Sequence, residues 1–340
     1  MVDNIPVMAH HLSFDQIETF NEDGFLAVES LLDDDDLVPL EQEYAEVLDE
    51  VSLRLFSEGA ISSPYEELTF GERYCRLLGE SPELHRFFNV SLPLSNTPEK
   101  PKNFCMHAGP AAFSLLRNPK LLDVVESILG PEVYSNPVQQ VRMKPPLRML
   151  SKENAEHSNV GVTTWHQDTV ALMPEAEATQ MLTVWVAMTD ATEQNGCLKS
   201  IAGSHHQGQV THCPGKQIAA EMYIPEAIIG DRKAVSLPLN RGGIVLFDKH
   251  NFHCAGANRS SDLRWSFDLR YNRTGQPTGR PAFPGFVARS RAHPESELQD
   301  AAAWKRLWDE ARDNILSGRY TDPIFEQKRW DDNSKVAICA

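Results

Sequence analysis

The sequence predicts a mainly β protein with added helices, built on an antiparallel barrel or a two-sheet jelly roll. Three observations carry this expectation. From about residue 132, short alternating or apolar runs recur between turns: Val138 to Met143, Met181 to Met188, Ala234 to Leu239, Gly243 to Phe247 and Trp265 to Tyr271. No helical pattern stands regularly between them, which argues against a βαβ fold. The clear helical periodicities lie before residue 131 and after residue 293 instead.

Composition bounds the rest. At 340 residues, 41% apolar and 24% charged, the chain can bury a sizeable core, and no composition shift divides it. One domain over 1–340 is therefore expected, with a mainly helical outer layer at 1–131, a jelly-roll core at 132–275 and a C-terminal loop and helix at 276–340. A formal charge of -16 argues against nucleic acid and anionic membrane as partners. No apolar run approaches a membrane span, and Met1-Val2-Asp3-Asn4-Ile5-Pro6 lacks the layout of a signal peptide, so a cytoplasmic protein is expected. The six scattered cysteines, without a Cys-x-x-Cys pair, are expected to be reduced thiols, mostly small core fillers.

In chain order, Ser13-Phe14-Asp15-Gln16 reads as a capping box opening a helix that Gly24 ends. Phe25 to Val28 is a short strand. Asp33 to Asp36 place negative charge at the positive end of the next helix dipole, whose buried face is Leu40, Tyr44, Val47, Leu48 and Val51. Residues 91–103 form a proline-marked loop carrying Lys100 and Lys102. Asn118-Pro119 opens another helix, closed by Gly130, that buries Leu121, Leu122, Val125, Ile128 and Leu129. The run from Arg264 to Tyr271 reads as the last strand: Arg264, Ser266, Asp268 and Arg270 share one face and Trp265, Phe267, Leu269 and Tyr271 the other. The apolar face suits packing under helices, and the polar face suits an interior that holds a charged ligand. After a Gly/Pro-rich loop at 275–285, a helix is expected from Pro294 to Leu316, with Trp304, Leu307, Trp308, Ala311 and Ile315 at helical spacing.

The chemistry centres on Thr163-Thr164-Trp165-His166-Gln167-Asp168. Two residues apart on a strand, His166 and Asp168 point to the same face and can close on one ion. With twelve histidines in an acidic chain, a His-x-Asp arises by chance about once. A third donor must come from elsewhere, and His253 is the leading candidate, with His250 its competitor. Two histidines and a carboxylate on one face of a metal is the arrangement of non-haem Fe(II) oxygenases.

The order of segments resembles the phytanoyl-CoA dioxygenase family of Fe(II)- and 2-oxoglutarate-dependent oxygenases. The resemblance covers most of the chain: Asp23-Gly24-Phe25-Leu26, Lys144-Pro145-Pro146, Trp165-His166-Gln167-Asp168, Trp185-Val186-Ala187-Met188, Asn195-Gly196-Cys197-Leu198, Gly203-Ser204-His205, Gly242 to Phe247, then His253 with Arg264 eleven residues on. It implies a double-stranded β-helix, the cupin-like form of the jelly roll. It also implies that His166, Asp168 and His253 are the catalytic iron ligands, and its spacing to Arg264 selects His253 over His250. Arg264 matches the arginine that pairs with the distal carboxylate of 2-oxoglutarate, a task suited to a bidentate guanidinium. Ser266, Trp185, Gln140 and Thr163 fall at further co-substrate positions. The implied cofactor is Fe(II), with 2-oxoglutarate and O2 as co-substrates, and the implied reaction is hydroxylation of a small molecule with release of succinate and CO2. Cys254 stands where glycine is common and Ala202 where proline is common; neither removes a ligand. Asp168 is the carboxylate that related halogenases lack. The rival readings are a non-catalytic cupin-like metal-binding or sensory protein, which needs no Arg264, and a metal-dependent hydrolase or isomerase, which consumes neither 2-oxoglutarate nor O2.

Overall fold

Ser13 and Gln16 exchange the two hydrogen bonds of a capping box, at 2.9 and 3.2 Å, and so open α1 (Phe14–Asp23) in the computed structural model. The structure describes residues 10–94, 100, 103–156, 159–215, 222–322, 324 and 336–339; Met1 to Pro6, Lys102 and His157 lie outside them. Gly24 ends α1 in the left-handed region, at φ 78°, and turns the chain directly into β1 (Phe25–Val28). In α2 (Asp34–Ser57) the acidic start is held by Lys120, whose ammonium donates to Asp33 and Asp36 at 2.6 Å each. Tyr44, Leu48 and Val51 are buried as expected. A helix not read from the sequence follows, α3 (Phe70–Glu80), which buries Tyr74, Leu77 and Leu78. Its signal was present: Thr69 and Glu72 form another capping box. The layer closes with α4 (Pro110–Leu116) and α5 (Pro119–Leu129), where Asn118 Oδ1 accepts from Lys120 N and Leu121 N.

The remaining strands are β2 (Glu132–Ser135), β3 (Gln140–Lys144), β4 (Thr163–His166), β5 (Met181–Ala187), β6 (Leu198–Ser200), β7 (Cys213–Pro214), β8 (Met222–Tyr223), β9 (Val235–Leu237), β10 (Ile244–Asp248), β11 (His253–Ala255), β12 (Arg264–Arg273) and β13 (Phe286–Ser290). Short helices α6 (Lys152–Glu156) and α7 (Glu226–Ile229) lie in connections, and α8 (Ala301–Leu316) follows the last strand. Among the described residues, the larger sheet runs β1-β10-β5-β12-β2-β13, with β3 paired to the first half of β12. The smaller sheet runs β4-β11-β6-β9, and every pairing is antiparallel. This is the jelly roll with flanking helices that the strand pattern predicts.

Alternation decides what each sheet face meets. Trp265, Phe267, Leu269 and Tyr271 of β12 and Leu182, Val184 and Val186 of β5 join the main core beneath the helices. On the opposite face, Trp185, Ala187, Val245 and Phe247 pack with Leu198, Leu237 and Ala255 of the smaller sheet. The polar residues of β12 point into this same interior, and Arg264, Ser266, Asp268 and Arg270 are all buried there. Gly242 (φ 84°) makes the turn into β10, where a Cβ would sit 2.1 Å from Leu32 O.

Four expectations need correction. β12 is not the last strand, because β13 returns to pair with β2 at the sheet edge, burying Phe286 and Ala288 in alternation. With β1 and β13 both in the larger sheet, the β core extends beyond 132–275. The C-terminal α-helix starts at Ala301, where Asp300 accepts from Ala302 N; Pro294–Ser296 is a separate 3-10 turn, and Leu307 is exposed. Cys213 and Cys339 form a disulfide across 126 residues, so the thiols are not all reduced; Cys75, Cys105, Cys197 and Cys254 are free. Spacing hides such a pairing, since the two cysteines meet only through the fold.

Trp304 of α8 is buried against Phe113 of α4 with ring centroids 5.6 Å apart. Trp304→Ala is expected to lower unfolding free energy by about 3–5 kcal/mol in urea denaturation, through lost burial and the cavity left behind. Metal binding by the folded fraction is expected to be unchanged.

Candidate active site

β4 and β11 are neighbours in the smaller sheet, and their register sets His253 directly opposite His166. The two rings lie 4.2 Å apart, and His253 stacks on Phe247 at 4.5 Å. β4 ends at His166, so Asp168 lies just past the strand, at the start of a 3-10 turn. Gln167 remains extended (φ -109°, ψ 146°), which preserves the alternation that brings Asp168 to the same side as His166. Asp168 Oδ1 is 4.0 Å from Nε2 of each histidine, and donor atoms of the three residues all lie within 4.8 Å of one another. His250 is not part of this group; it lies beside Asp248 at 3.6 Å.

The orientation of each imidazole is fixed from behind. His166 Nδ1 donates to Thr164 O at 2.8 Å, and His253 Nδ1 donates to Asn251 O at 3.0 Å. A carbonyl can only accept, so Nδ1 carries the proton and Nε2 presents its lone pair to the common point. Gln167, between the two motif residues, is pinned by its own set of bonds: its backbone N donates to His212 Nε2, and its side chain bonds Gly208 O, His250 O and Val210 N. His212 therefore supports the motif turn.

Protonation states follow from burial. Burial, then the neighbouring His253, pushes the His166 pKa well below the ordinary imidazole value, and burial lowers that of His253 as well. Both rings are thereby favoured in the neutral, ligating form. Burial by itself raises the Asp168 carboxyl, but the charge and hydrogen bond of Arg270 lead the effects that outweigh it and hold the group far below the usual carboxylate range. A neutral pair of imidazoles and one carboxylate is the donor set for an iron-type divalent ion with several positions left open.

Arg264, Trp185 and Thr163 line the same cavity as the two histidines. Arg264 is fully buried, and all three guanidinium nitrogens lack a hydrogen-bond partner among the described residues. So do the Ser266 hydroxyl and Trp185 Nε1, and the guanidinium carbon stands 5.4 Å from the Trp185 ring centroid. Burial pushes the Arg264 pKa down to about 10, which still leaves a cation at neutral pH. Unpartnered buried donors of this kind are costly unless an acceptor enters. A carboxylate that accepts from the guanidinium and the serine fits them, so the residues present suit 2-oxoglutarate.

Gln140 stands directly opposite Asp268 in the β3–β12 register but is not among the residues lining the cavity; its Oε1 accepts from Asn89 Nδ2 at 3.2 Å. Lys144, read from the sequence only as part of Lys-Pro-Pro, is fully buried and donates to Thr163 Oγ1 at 3.0 Å. Burial, then Arg264 and Arg142, hold its ammonium well below the usual lysine range. Arg142 and Asp268 also line the cavity and form a buried pair at 2.6 Å. Asp268 and Arg270 were placed on the inward face of β12 by alternation; their partners were not foreseeable, because those come from β3, the loop before it and the turn after β4.

Residues 20–266 match the family model described as phytanoyl-CoA dioxygenase (PhyH). The chain is 27% identical to phytanoyl-CoA dioxygenase domain-containing protein 1 of Mus musculus, over 76% of this chain and 89% of that protein. It is 29% identical to ectoine dioxygenase of Bordetella parapertussis, over 78% of this chain and 76% of that one. L-proline trans-4-hydroxylase of Streptomyces griseoviridis is 28% identical over 51% of this chain and 67% of its own. Among solved structures, the apo form of the non-heme monooxygenase ThoJ superposes with a TM-score of 0.50 and 22% identity, covering 90% of this chain and all of that one. That likeness shows the shared fold.

Because both histidines have lowered pKa values, they are neutral at pH 7, and a metal ion has no proton to displace from them. Iron(II) affinity, measured anaerobically by competition with a chromophoric chelator, is expected to begin falling only below the ordinary imidazole range of about 6.5. A steep loss beginning above pH 7 would contradict the neutral-pair arrangement.

Proposed function

Because this chain belongs to the phytanoyl-CoA dioxygenase family of iron- and 2-oxoglutarate-dependent oxygenases, we propose that it hydroxylates a small molecule, with His166, Asp168 and His253 holding the iron. When bound, iron(II) and 2-oxoglutarate supply the oxidation: dioxygen is consumed, the keto acid is cleaved to succinate and CO2, and a substrate C–H bond gains a hydroxyl group. The protein's part is to bind, orient and shield. Arg264 and Ser266 receive the distal carboxylate of 2-oxoglutarate, with Trp185 and Thr163 along the same wall. Phe247, Leu198 and Ala255 supply apolar lining that keeps bulk water from this pocket.

The observation that carries this reading is Arg264: a wholly buried guanidinium with no partner among the described residues, in the same cavity as His166 and His253. A metal-binding protein without turnover, or a hydrolase, has no use for it. The substrate is better read as a free small molecule than as a CoA thioester. Of the cations that could meet CoA phosphates, Arg142 is committed to Asp268 and Arg148 donates to Ser260 O. Two relatives are named for small compounds, ectoine and L-proline, which supports the same class here.

Anaerobic titration with iron(II) and 2-oxoglutarate tests the co-substrate. A weak visible charge-transfer band is expected with the wild-type protein. Arg264→Ala is expected to raise the 2-oxoglutarate requirement at least about thirtyfold, the effect of removing one partner of a buried charge pair. An unchanged requirement would assign the distal carboxylate to another cation. His166→Ala, Asp168→Ala and His253→Ala are each expected to abolish succinate formation while circular dichroism stays native; full turnover in any one removes that residue from the ligand set.

A further inference from the structure

Asp168 is held by more than the metal site requires. Its Oδ1 accepts from Arg270 Nη2 at 2.6 Å, and its Oδ2 accepts from the Thr183 hydroxyl. Thr183 and Arg270 are directly opposite one another in the β5–β12 register, at the centre of the larger sheet. Arg270 is itself anchored: Nη1 donates to Val138 O at 3.1 Å, and its backbone N donates to Gln139 Oε1 at 2.9 Å. Asp168 and Arg270 are both almost fully buried, so solvent does not screen their bond. The oxygen that Arg270 grips is also the one that faces Nε2 of both histidines at 4.0 Å.

We infer that Arg270 and Thr183 are positioning residues that clamp Asp168 as a one-oxygen metal ligand. The inference rests on the reading of Asp168 as a ligand and adds what sets its geometry. With a bond on each oxygen, the carboxylate cannot rotate about its Cβ–Cγ bond, and Oδ2 is occupied by Thr183. Held in this orientation, it turns Oδ1, the oxygen that faces Nε2 of both histidines, toward the ion and Oδ2 toward Thr183, which leaves more coordination positions for a chelating co-substrate. The guanidinium also offsets part of the carboxylate charge, so the bound ion keeps more of its own positive charge for an anionic chelate. A purely structural ion pair would do neither.

The test uses the full chain and two probe ions, iron(II) for affinity under anaerobic conditions and cobalt(II) for its visible spectrum, which reports coordination number. Asp168→Ala is the control for the parent reading: if it binds both ions as the wild type does, Asp168 is not a ligand and both readings fall. Given loss of binding in that control, Arg270→Gln is expected to weaken iron(II) affinity about 10- to 100-fold and to change the cobalt spectrum, as for other residues that orient metal ligands. Arg270→Lys, which keeps the cation, is expected to lie between Arg270→Gln and the wild type. Thr183→Val keeps the side-chain shape and frees Oδ2; a cobalt spectrum shifted toward higher coordination is expected. If Arg270→Gln does not fold, Thr183→Val decides. Wild-type affinity together with a wild-type cobalt spectrum in the folded variants overturns the clamp.

Discussion

An isolated cation does not stay buried in a protein interior without compensation, and this constraint organises the molecule. Removing a charge from water costs several kcal/mol even after relaxation, unless a partner of opposite sign is close. The interior between the two sheets nevertheless encloses Arg142, Lys144, Arg264 and Arg270. Arg142 is paired with Asp268 and Arg270 with Asp168, and Lys144 donates to Thr163 while burial holds its ammonium well below the usual lysine range. Arg264 alone keeps its charge without a partner among the described residues. The remaining cost is borne by the surrounding core, because Trp265, Phe267, Leu269 and Tyr271 of the same strand are buried against the helices.

A single strand thus supplies both sides of the balance. β12 presents an apolar ridge outward and a polar ridge inward, and it has β5 as one neighbour and β2 and β3 as the other. Its central position keeps the polar ridge dry and rigid. The two histidines come from the opposite sheet, where β4 and β11 are adjacent, so the metal point lies between the sheets. The backbone carbonyls of Thr164 and Asn251 set the tautomers, which means that ligand orientation is a property of the strands themselves.

Much of this was legible beforehand. Alternation in Arg264 to Tyr271 placed the polar face inward, the capping box at Ser13 marked α1, and Asn118-Pro119 marked α5. These are local signals, in which a few adjacent residues determine the outcome. Other features escaped because they depend on distant partners. β13 follows a Gly/Pro-rich loop and is a strand only because the edge of β2 is free to receive it. The Cys213–Cys339 bridge joins residues 126 apart. The helix at 70–80 was locally marked by Thr69 and Glu72, and there the signal was present but unread.

The sequence by itself determined the types of the strongly periodic elements, the inward set on β12 and the His166–Asp168 pair, since periodicity two and side-chain chemistry are properties of short segments. It also supplied the order of motifs that marks the family. Only the tertiary structure decided that Gln140 stands away from the cavity wall beside Asn89, and that Arg270 and Thr183 hold the ligand carboxylate. Register between strands far apart in the chain makes those choices. A shift of one residue in a sheet turns every side chain to the other face, and no local pattern encodes which partner strand arrives.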